Sequence, residues 1–204
     1  MEGFFSLPRA ITVEQTIEKS RFIGVGVPVQ TMDGINSAMV RIREEYPNAR
    51  HYVYAYRLHK GAVEKASDDG EPQGTGGRPV LDFLQHQNVW NVLVVVVRYF
   101  GGILLGTGGL TRAYGSTARQ VFTDVELVKL TLFHRYRLCI PYDWYEPLKY
   151  QFHQRHWPIQ NEEFGAAVEL TVSVPETQTE LFRQWVEDFT RKQVKFQDQG
   201  TVWG

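Results

Sequence analysis

A glycine-rich stretch between a predicted strand and a predicted helix carries the residues with the clearest capacity for chemistry. Residues 101–109 read GGILLGTGG and precede an apolar helical pattern at residues 110–122. A helix N-terminus offers unpaired N–H groups and a partial positive charge, and glycines let a phosphate come close to them. Arginines nearby add charge-assisted hydrogen bonds. This pattern predicts an RNA or phosphate contact at Arg98, Gly106, Thr107, Gly108, Gly109 and Arg112.

The stretch does not match two well-known nucleotide-binding loops. A Walker A loop needs Gly-Lys-Ser/Thr before the helix, whereas Gly109 is followed by Leu110 and Thr111. Thr111 also stands where a Rossmann fingerprint has its third glycine. The alternative interpretation is that these glycines serve tight turns and close packing.

Three carboxylates form a second candidate site. Asp68, Asp69 and Glu71 lie in a glycine-rich segment, residues 61–79, which we predict to be a long loop. A loop of such length in a compact domain is usually functional or disordered. The carboxylates can hold Mg²⁺ through one or two oxygens, or act as general acids and bases. Their spacing does not match an EF-hand, and a solvated acidic turn is the alternative.

Other polar and aromatic side chains show weaker patterns. His51 is predicted to be a hydrogen-bonded structural histidine, and His153 and His156 to lie at the surface. Cys139 is the single cysteine, which excludes an internal disulfide and a cysteine-based zinc site. We predict that it is a small buried hydrophobe. Three aromatic residues near the glycines can stack on bases or pack against the helix: Tyr99, Phe100 and Tyr114.

The composition indicates a globular protein without a strong field of either sign. The 204 residues include 22% charged and 43% hydrophobic side chains, and the net charge is −1. A nucleic-acid contact therefore has to use a local patch. The longest aliphatic run, Val92–Val97, is far shorter than the ~20 residues that span a bilayer. Residues 1–13 lack a signal-peptide pattern. We expect a cytoplasmic protein with no membrane partner and no disulfide partner.

Hydrophobic periodicity predicts an N-terminal domain of mixed strands and helices. Alternation from Ile11 to Val29 predicts one or two strands, broken at Ser20–Arg21. A helix is predicted over Ile35–Glu45, with Asp33 as its N-cap. Strand Asn91–Tyr99 is apolar on both faces, so we expect it to be central and covered on both sides. The other predicted elements are a strand over 51–58 and helices over 80–86 and 110–122.

The hydrophobic pattern of the sequence changes after residue 124. The predicted order becomes β-α-β-β-α-β, which is the split βαβ pattern of the ferredoxin-like fold. The predicted elements are a strand (130–142), a helix (144–156), a hairpin (158–164 and 166–174), a helix (176–191) and a strand (194–203). We place the two domains at residues 1–127 and 128–204.

Four motifs occur in order along the first domain: Ser20–Gly24 (SRFIG), His51–Arg57, Ser67–Pro79 (SDDGEP through GRP) and Val97–Tyr114 (VRYFGG through GLTRAY). Together they resemble the IMPACT family, and more narrowly its bacterial YigZ-like branch. The resemblance spans about residues 16–122, and the rest of the chain resembles the small second domain of that branch.

The resemblance implies an α+β protein of two domains. The first would be an α/β domain like the second domain of a small-subunit ribosomal protein. The second would be a ferredoxin-like βαββαβ domain similar to the last domain of elongation factor G. Eukaryotic members of the family regulate translation initiation under stress, and they carry an additional N-terminal protein-binding domain.

The leading hypothesis is a non-enzymatic protein that associates with RNA or the ribosome and modulates translation. Arg57 and Arg78, together with Arg21, would extend the patch if they face the same side, since arginines suit phosphates.

Two alternatives stay open. One is an enzyme that binds a phosphate or nucleotide and holds Mg²⁺ at the three carboxylates. The other is a protein-partner module in which the second domain uses its aromatic residues, Trp144, Tyr145, Trp157 and Trp185. No catalytic nucleophile is predicted, and no cofactor is expected outside the Mg²⁺ alternative.

Overall fold

The computed structural model describes residues 3–204, which divide into two compact units. The first is Phe4–Lys129, and the second is Leu130–Gly204 together with Gly3. The strands up to residue 130 are β1 (Phe4–Ser6), β2 (Ile11–Ile17), β3 (Ser20–Pro28), β4 (His51–Leu58), β5 (Val63–Ser67), β6 (Val92–Tyr99) and β7 (Val128–Leu130). The helices in the same range are α1 (Met32–Glu45), α2 (Gly77–His86) and α3 (Gly106–Gln120).

A five-stranded sheet with the order β2-β3-β6-β4-β5 organises the first unit. All four neighbouring pairs run antiparallel. β6 occupies the centre, and its residues Val92–Val97 are fully buried. The prediction of a central strand that is covered on both sides is confirmed.

The helices cover opposite faces of this sheet. Ile35, Ala38 and Ile42 of α1 pack with the odd-numbered residues of β6. On the other face, α2 and α3 share a core with the even-numbered residues of β6. Because α2 and α3 lie in one layer, the loops that precede them meet the same side of the sheet.

Several predicted boundaries in this unit are wrong. The predicted loop 61–79 contains β5, a short edge strand without an apolar run, and α2 already begins at Gly77. α3 begins at Gly106, so the last glycines of the predicted loop form its first turn. The N-cap of α1 is Thr31, whose hydroxyl accepts from the Gly34 amide, while Asp33 lies in the first turn.

The second unit has the predicted ferredoxin-like pattern. Its elements are β8 (Leu132–Ile140), α4 (Tyr142–Gln154), β9 (Ile159–Phe164), β10 (Val168–Pro175), a 3-10 turn (Glu176–Gln178), α5 (Thr179–Phe189) and β11 (Lys195–Trp203). The antiparallel sheet has the order β11-β8-β10-β9. α4 and α5 share one core with this sheet.

The alternation of β8 explains a wrong prediction for its cysteine. Tyr136, Leu138 and Ile140 are buried in the core with α4 and α5. Side chains alternate between the two faces of a strand, so Cys139 points to the opposite face. Cys139 is exposed there rather than buried.

The aromatic residues proposed for a protein partner belong largely to this core. Trp157 and Tyr145 are buried, and Trp144 and Trp185 pack against the core as partly buried side chains. Tyr145 and Trp157 are therefore core residues that no partner can contact, whereas Trp144 and Trp185 keep part of their surface exposed.

Candidate functional site

A buried cluster of a carboxylate, an arginine and a tyrosine lies where α3 packs on the sheet. Arg98, near the end of β6, donates from Nη1 to Glu71 Oε1 at 2.6 Å. Tyr114 of α3 donates its hydroxyl to the same oxygen at 2.7 Å. The Glu71 and Arg98 side chains are only 4% and 6% exposed. Buried charges persist only when they are paired and hydrogen-bonded, so the cluster ties the acidic loop to β6 and α3.

The Tyr114 hydroxyl stays protonated in this setting. Burial raises the pKa of Tyr114, and the hydrogen bond to Glu71 raises it further. The ring also packs edge-on against Phe22 of β3. Tyr114 is therefore a fixed donor to the carboxylate rather than a proton-transfer group at neutral pH.

His51, opposite Arg98 in the register of β4 and β6, extends the cluster. Its Nδ1 lies 2.7 Å from the backbone oxygen of Asp69. A carbonyl oxygen only accepts, so Nδ1 carries a proton and donates it to Asp69. The Nε2 of His51 lies 3.7 Å from Glu71 Oε1. The prediction that His51 is a hydrogen-bonded histidine is confirmed.

These side chains form one wall of a pocket of about 460 Å³, called here the α3 pocket. Its other walls are mainly apolar, and they include Leu104, which is 86% exposed, and Phe100, which is 47% exposed. The lining residues besides Glu71, Arg98 and His51 are Arg50, Pro72, Phe100, Leu104, Leu105, Gly106, Thr107 and Leu110.

The N-terminus of α3 opens at this pocket with its backbone donors uncapped. The N-cap residue is Leu105, which makes no side-chain cap hydrogen bond, and the first turn contains no acid. Such a helix end attracts anions. The structure thus brings Gly106 and Thr107 to the same pocket as Arg98.

The three carboxylates of the acidic loop are directed to different partners. Asp68 accepts from the amides of Gly74, Gly76 and Gly77. Burial alone would raise the pKa of Asp68, but the three backbone donors outweigh it and lower that pKa. Asp68 thereby holds the loop in a turn that leads into α2.

The other two carboxylates point away from Asp68. Asp69 Oδ2 accepts from the Tyr52 amide at 2.6 Å, and Glu71 belongs to the buried cluster. Within residues 3–204, no group of three His, Cys, Asp or Glu residues is placed to hold a metal ion. The structure therefore does not assemble Asp68, Asp69 and Glu71 into the ligand set that the Mg²⁺ alternative requires.

Arg57 lies apart from the α3 pocket and is used internally. Its Nη1 donates to the backbone oxygens of Leu84 and Val89, and its Nε donates to Glu64 at 2.8 Å. The guanidinium also stacks on Trp90, 3.6 Å from the ring centre. Arg57 is 5% exposed, so it is not available to a phosphate in this conformation.

A second concave surface runs along α2 and α3, and we call it the arginine groove. It consists of two hollows of about 690 and 600 Å³ that share Arg112 and Arg119. Gly109 lines the first hollow, and Arg78 lines the second. Gly108 follows Thr107 in the first turn of α3, where a Cβ would have Arg112 Nη1 as its nearest neighbour, at 3.5 Å.

Arg119 was not predicted as a site residue, although its spacing from Arg112 in the sequence indicates that the two share a helix face. It follows Arg112 by seven residues, which is two helical turns, so both side chains lie on one face of α3. Both residues are exposed. Arg78 is exposed as well, but it pairs with Asp82 one turn later at 2.6 Å.

No helix in the described part of the chain, residues 3–204, has the length and apolarity to cross a membrane.

Known proteins share both halves of this architecture. A family model described as Impact N-terminal domain matches residues 18–122, and one described as Domain of unknown function (DUF1949) matches residues 138–193. IMPACT family member YigZ of Escherichia coli (strain K12) is 34% identical over 196 residues, which cover 94% of this chain and 95% of that protein. IMPACT family member YvyE of Bacillus subtilis (strain 168) is 31% identical over 191 residues, 93% of this chain and 88% of that protein.

A solved structure described as "Crystal structure of an hypothetical protein" superposes with a TM-score of 0.64 at 33% sequence identity. The match covers 96% of this chain and 97% of the other. The resemblance drawn from the four motifs is confirmed, and the chain belongs to the IMPACT family, alongside the bacterial members YigZ and YvyE.

Proposed function

We propose that this IMPACT family protein binds RNA at the ribosome through the arginine groove and modulates translation without catalysing a reaction. The observation that carries the proposal is the pair Arg112 and Arg119. Both are exposed on one face of α3, and within residues 3–204 neither forms an ion pair. An unpaired guanidinium presents a fork of donors that suits a phosphate.

The family supports the link to translation, since its eukaryotic members regulate initiation. The uncapped N-terminus of α3 supplies further donors in the α3 pocket, which shares Leu104 and Leu105 with the groove. Because the net charge of the chain is only −1, the electrostatic attraction to RNA has to come from this local surface rather than from the whole molecule. We expect binding of modest affinity that weakens with added salt. A protein that binds ribosomes in this way would work in the cytoplasm.

The test is co-sedimentation with ribosomes and their subunits across a salt series. The double variant Arg112→Glu with Arg119→Glu removes two phosphate contacts and should weaken binding at least about tenfold at low salt. It should also reduce the slope of log affinity against log salt by roughly 1.5.

A matched control carries the same change of charge elsewhere. Arg9→Glu with Arg41→Glu alters two exposed arginines outside α2 and α3, and it should sediment with ribosomes nearly as the parent protein does. Equal loss of binding in both double variants would mean that net charge, rather than the groove, governs the interaction. Unchanged binding in the Arg112/Arg119 variant would reject the groove.

A further inference from the structure

The α3 pocket has a buried polar atom in its wall that no described residue satisfies. Arg98 is 5% exposed, and its Nε has no hydrogen-bond partner within residues 3–204. Glu71 uses Oε1 for both Arg98 and Tyr114, and its Oε2, which is not among the buried unsatisfied atoms, stays open to a further donor. Unsatisfied atoms on buried charged groups are rare in native proteins and costly.

These atoms define the polar edge that a ligand has to offer. Arg98 Nε–H needs an acceptor, and Glu71 Oε2 accepts from an N–H donor placed beside it. His51 presents its Nε2 at the same edge, 3.7 Å from Glu71 Oε1. An edge with a donor and an acceptor side by side is what every nucleobase presents.

The remaining walls suit the rest of a nucleotide. Phe100 is an exposed aromatic ring at the pocket, and Leu104, Leu105 and Leu110 make that wall apolar. Bases stack on such rings without regard to sequence. Arg50 and the uncapped α3 N-terminus, at Gly106 and Thr107, offer positive charge for a phosphate. A volume of about 460 Å³ lies in the range of small-molecule sites.

We propose that the α3 pocket binds one nucleotide, with the base on Phe100, its polar edge at Glu71 and Arg98, and its phosphate at the N-terminus of α3. Two sources share this chemistry, a free mononucleotide and an unstacked nucleotide of an RNA strand. An RNA strand in the arginine groove lies next to the pocket, because the two share Leu104 and Leu105. The inference goes beyond the proposed function and does not depend on it.

The experiment is an NMR titration of the full chain, labelled with ¹⁵N, that follows the backbone amides of Gly106 and Thr107. The probes are the four 5′-mononucleotides, a single-stranded tetranucleotide RNA and inorganic phosphate. We expect a nucleotide to shift both amides and to bind more tightly than inorganic phosphate. Phe100→Ala should weaken that binding at least about fivefold, because it removes the stacking surface.

Two more variants keep the outcome interpretable. Glu71→Gln removes the charge at the polar edge and should bind nucleotides more weakly than the parent protein. If Glu71→Gln does not fold, Phe100→Ala still tests the inference. Phe164→Ala removes a comparably exposed ring from β9 and should bind as the parent protein does.

The results separate the two sources and the two proposals. Shifts with mononucleotides support the pocket with a free nucleotide as ligand, and shifts with the tetranucleotide alone support it with RNA as the source. Absence of shifts with both probes, binding no tighter than that of inorganic phosphate, or equal affinity of Phe100→Ala and the parent protein would overturn the inference. Ribosome sedimentation of the Arg112/Arg119 variant decides the proposed function whichever result is found here.

Discussion

Arginines of the same chemistry have opposite uses in this protein, and strand alternation accounts for the difference. Arg57 lies on the same face of β4 as the buried residues Val53 and Ala55. Arg98 lies on the same face of β6 as the buried residues Val94 and Val96. Both side chains therefore point under the layer of α2 and α3. Arg112, on the surface of α3, points to solvent.

The sequence shows this alternation but does not show the partners that make burial tolerable. Arg57 needs Glu64, and Arg98 needs Glu71, which lies 27 positions earlier in the chain. An arginine at the end of an apolar strand is equally compatible with a solvent-exposed phosphate contact until those carboxylates are located. The tertiary pairing therefore decides which arginines remain available.

The internal role of Arg57 predicts a large loss of stability when it is truncated. Arg57→Ala leaves the oxygens of Leu84 and Val89 without their buried donor, and it removes the partner of Glu64. We expect the free energy of unfolding to fall by about 2–4 kcal/mol, measured by urea denaturation. Arg112→Ala is the matched control and should change stability by no more than about 0.5 kcal/mol. Equal effects of the two substitutions would contradict the assignment of Arg57 to the interior.

At the scale of the helices and strands, glycine accounts for most of the misplaced boundaries. Glycine is a poor helix residue, so the expected starts were Val80 for α2 and Leu110 for α3. The structure begins them at Gly77 and Gly106. A Cβ at Gly77 would lie 2.6 Å from the backbone nitrogen of Ser67, so this helix start needs glycine for close approach. Propensity along the chain does not contain that three-dimensional requirement.

The strand β5 was not predicted, for a different reason. Its sequence, VEKAS, has no apolar alternation, and the strand lies at an edge of the sheet. Edge strands are often short and charged, which keeps their unpaired backbone groups from pairing with another chain. In contrast, β6 was predicted correctly because a strand that is buried on both faces has to be apolar throughout.

Two glycines of residues 101–109, Gly101 before α3 and Gly108 in its first turn, are predicted to differ in their tolerance to substitution. A Cβ at Gly101 would overlap the backbone carbonyl of Lys19, whereas a Cβ at Gly108 has only the far end of the Arg112 side chain nearby, at 3.5 Å. Gly101→Ala should cost at least about 2 kcal/mol of unfolding free energy. Gly108→Ala should be neutral, or stabilising by up to about 1 kcal/mol, because alanine favours the helix. Thermal unfolding of both variants measures the difference, and a destabilised Gly108→Ala would contradict the open space at that position.

For the whole molecule, the sequence predicted the order of elements better than it predicted the site. The β-α-β-β-α-β order of the second unit follows from two amphipathic helices and four strands with turn residues between them. The α3 pocket combines residues between Arg50 and Leu110. Only the packing of α3 on the sheet brings Glu71 of the loop to Arg98 and Tyr114, so periodicity had no means to assemble the pocket.

The separate core of the second unit predicts that it folds on its own. Residues 130–204 include a complete sheet and a core of aromatic side chains around Trp157, Phe152 and Phe182. A fragment of residues 130–204 should give a cooperative thermal transition and a near-UV circular dichroism signal from these rings. A fragment with secondary structure but without a cooperative transition would show that the core depends on the rest of the chain.

The outward orientation of Cys139 has a practical consequence. It is the sole cysteine of the sequence, and it lies on the face of β8 opposite α4 and α5. A maleimide fluorophore or a nitroxide spin label therefore attaches to the unmodified protein at one defined position and leaves the hydrophobic core of that unit intact. Spectroscopy on the conjugate reports the motion and surroundings of the second unit in a ribosome mixture, without any engineered substitution.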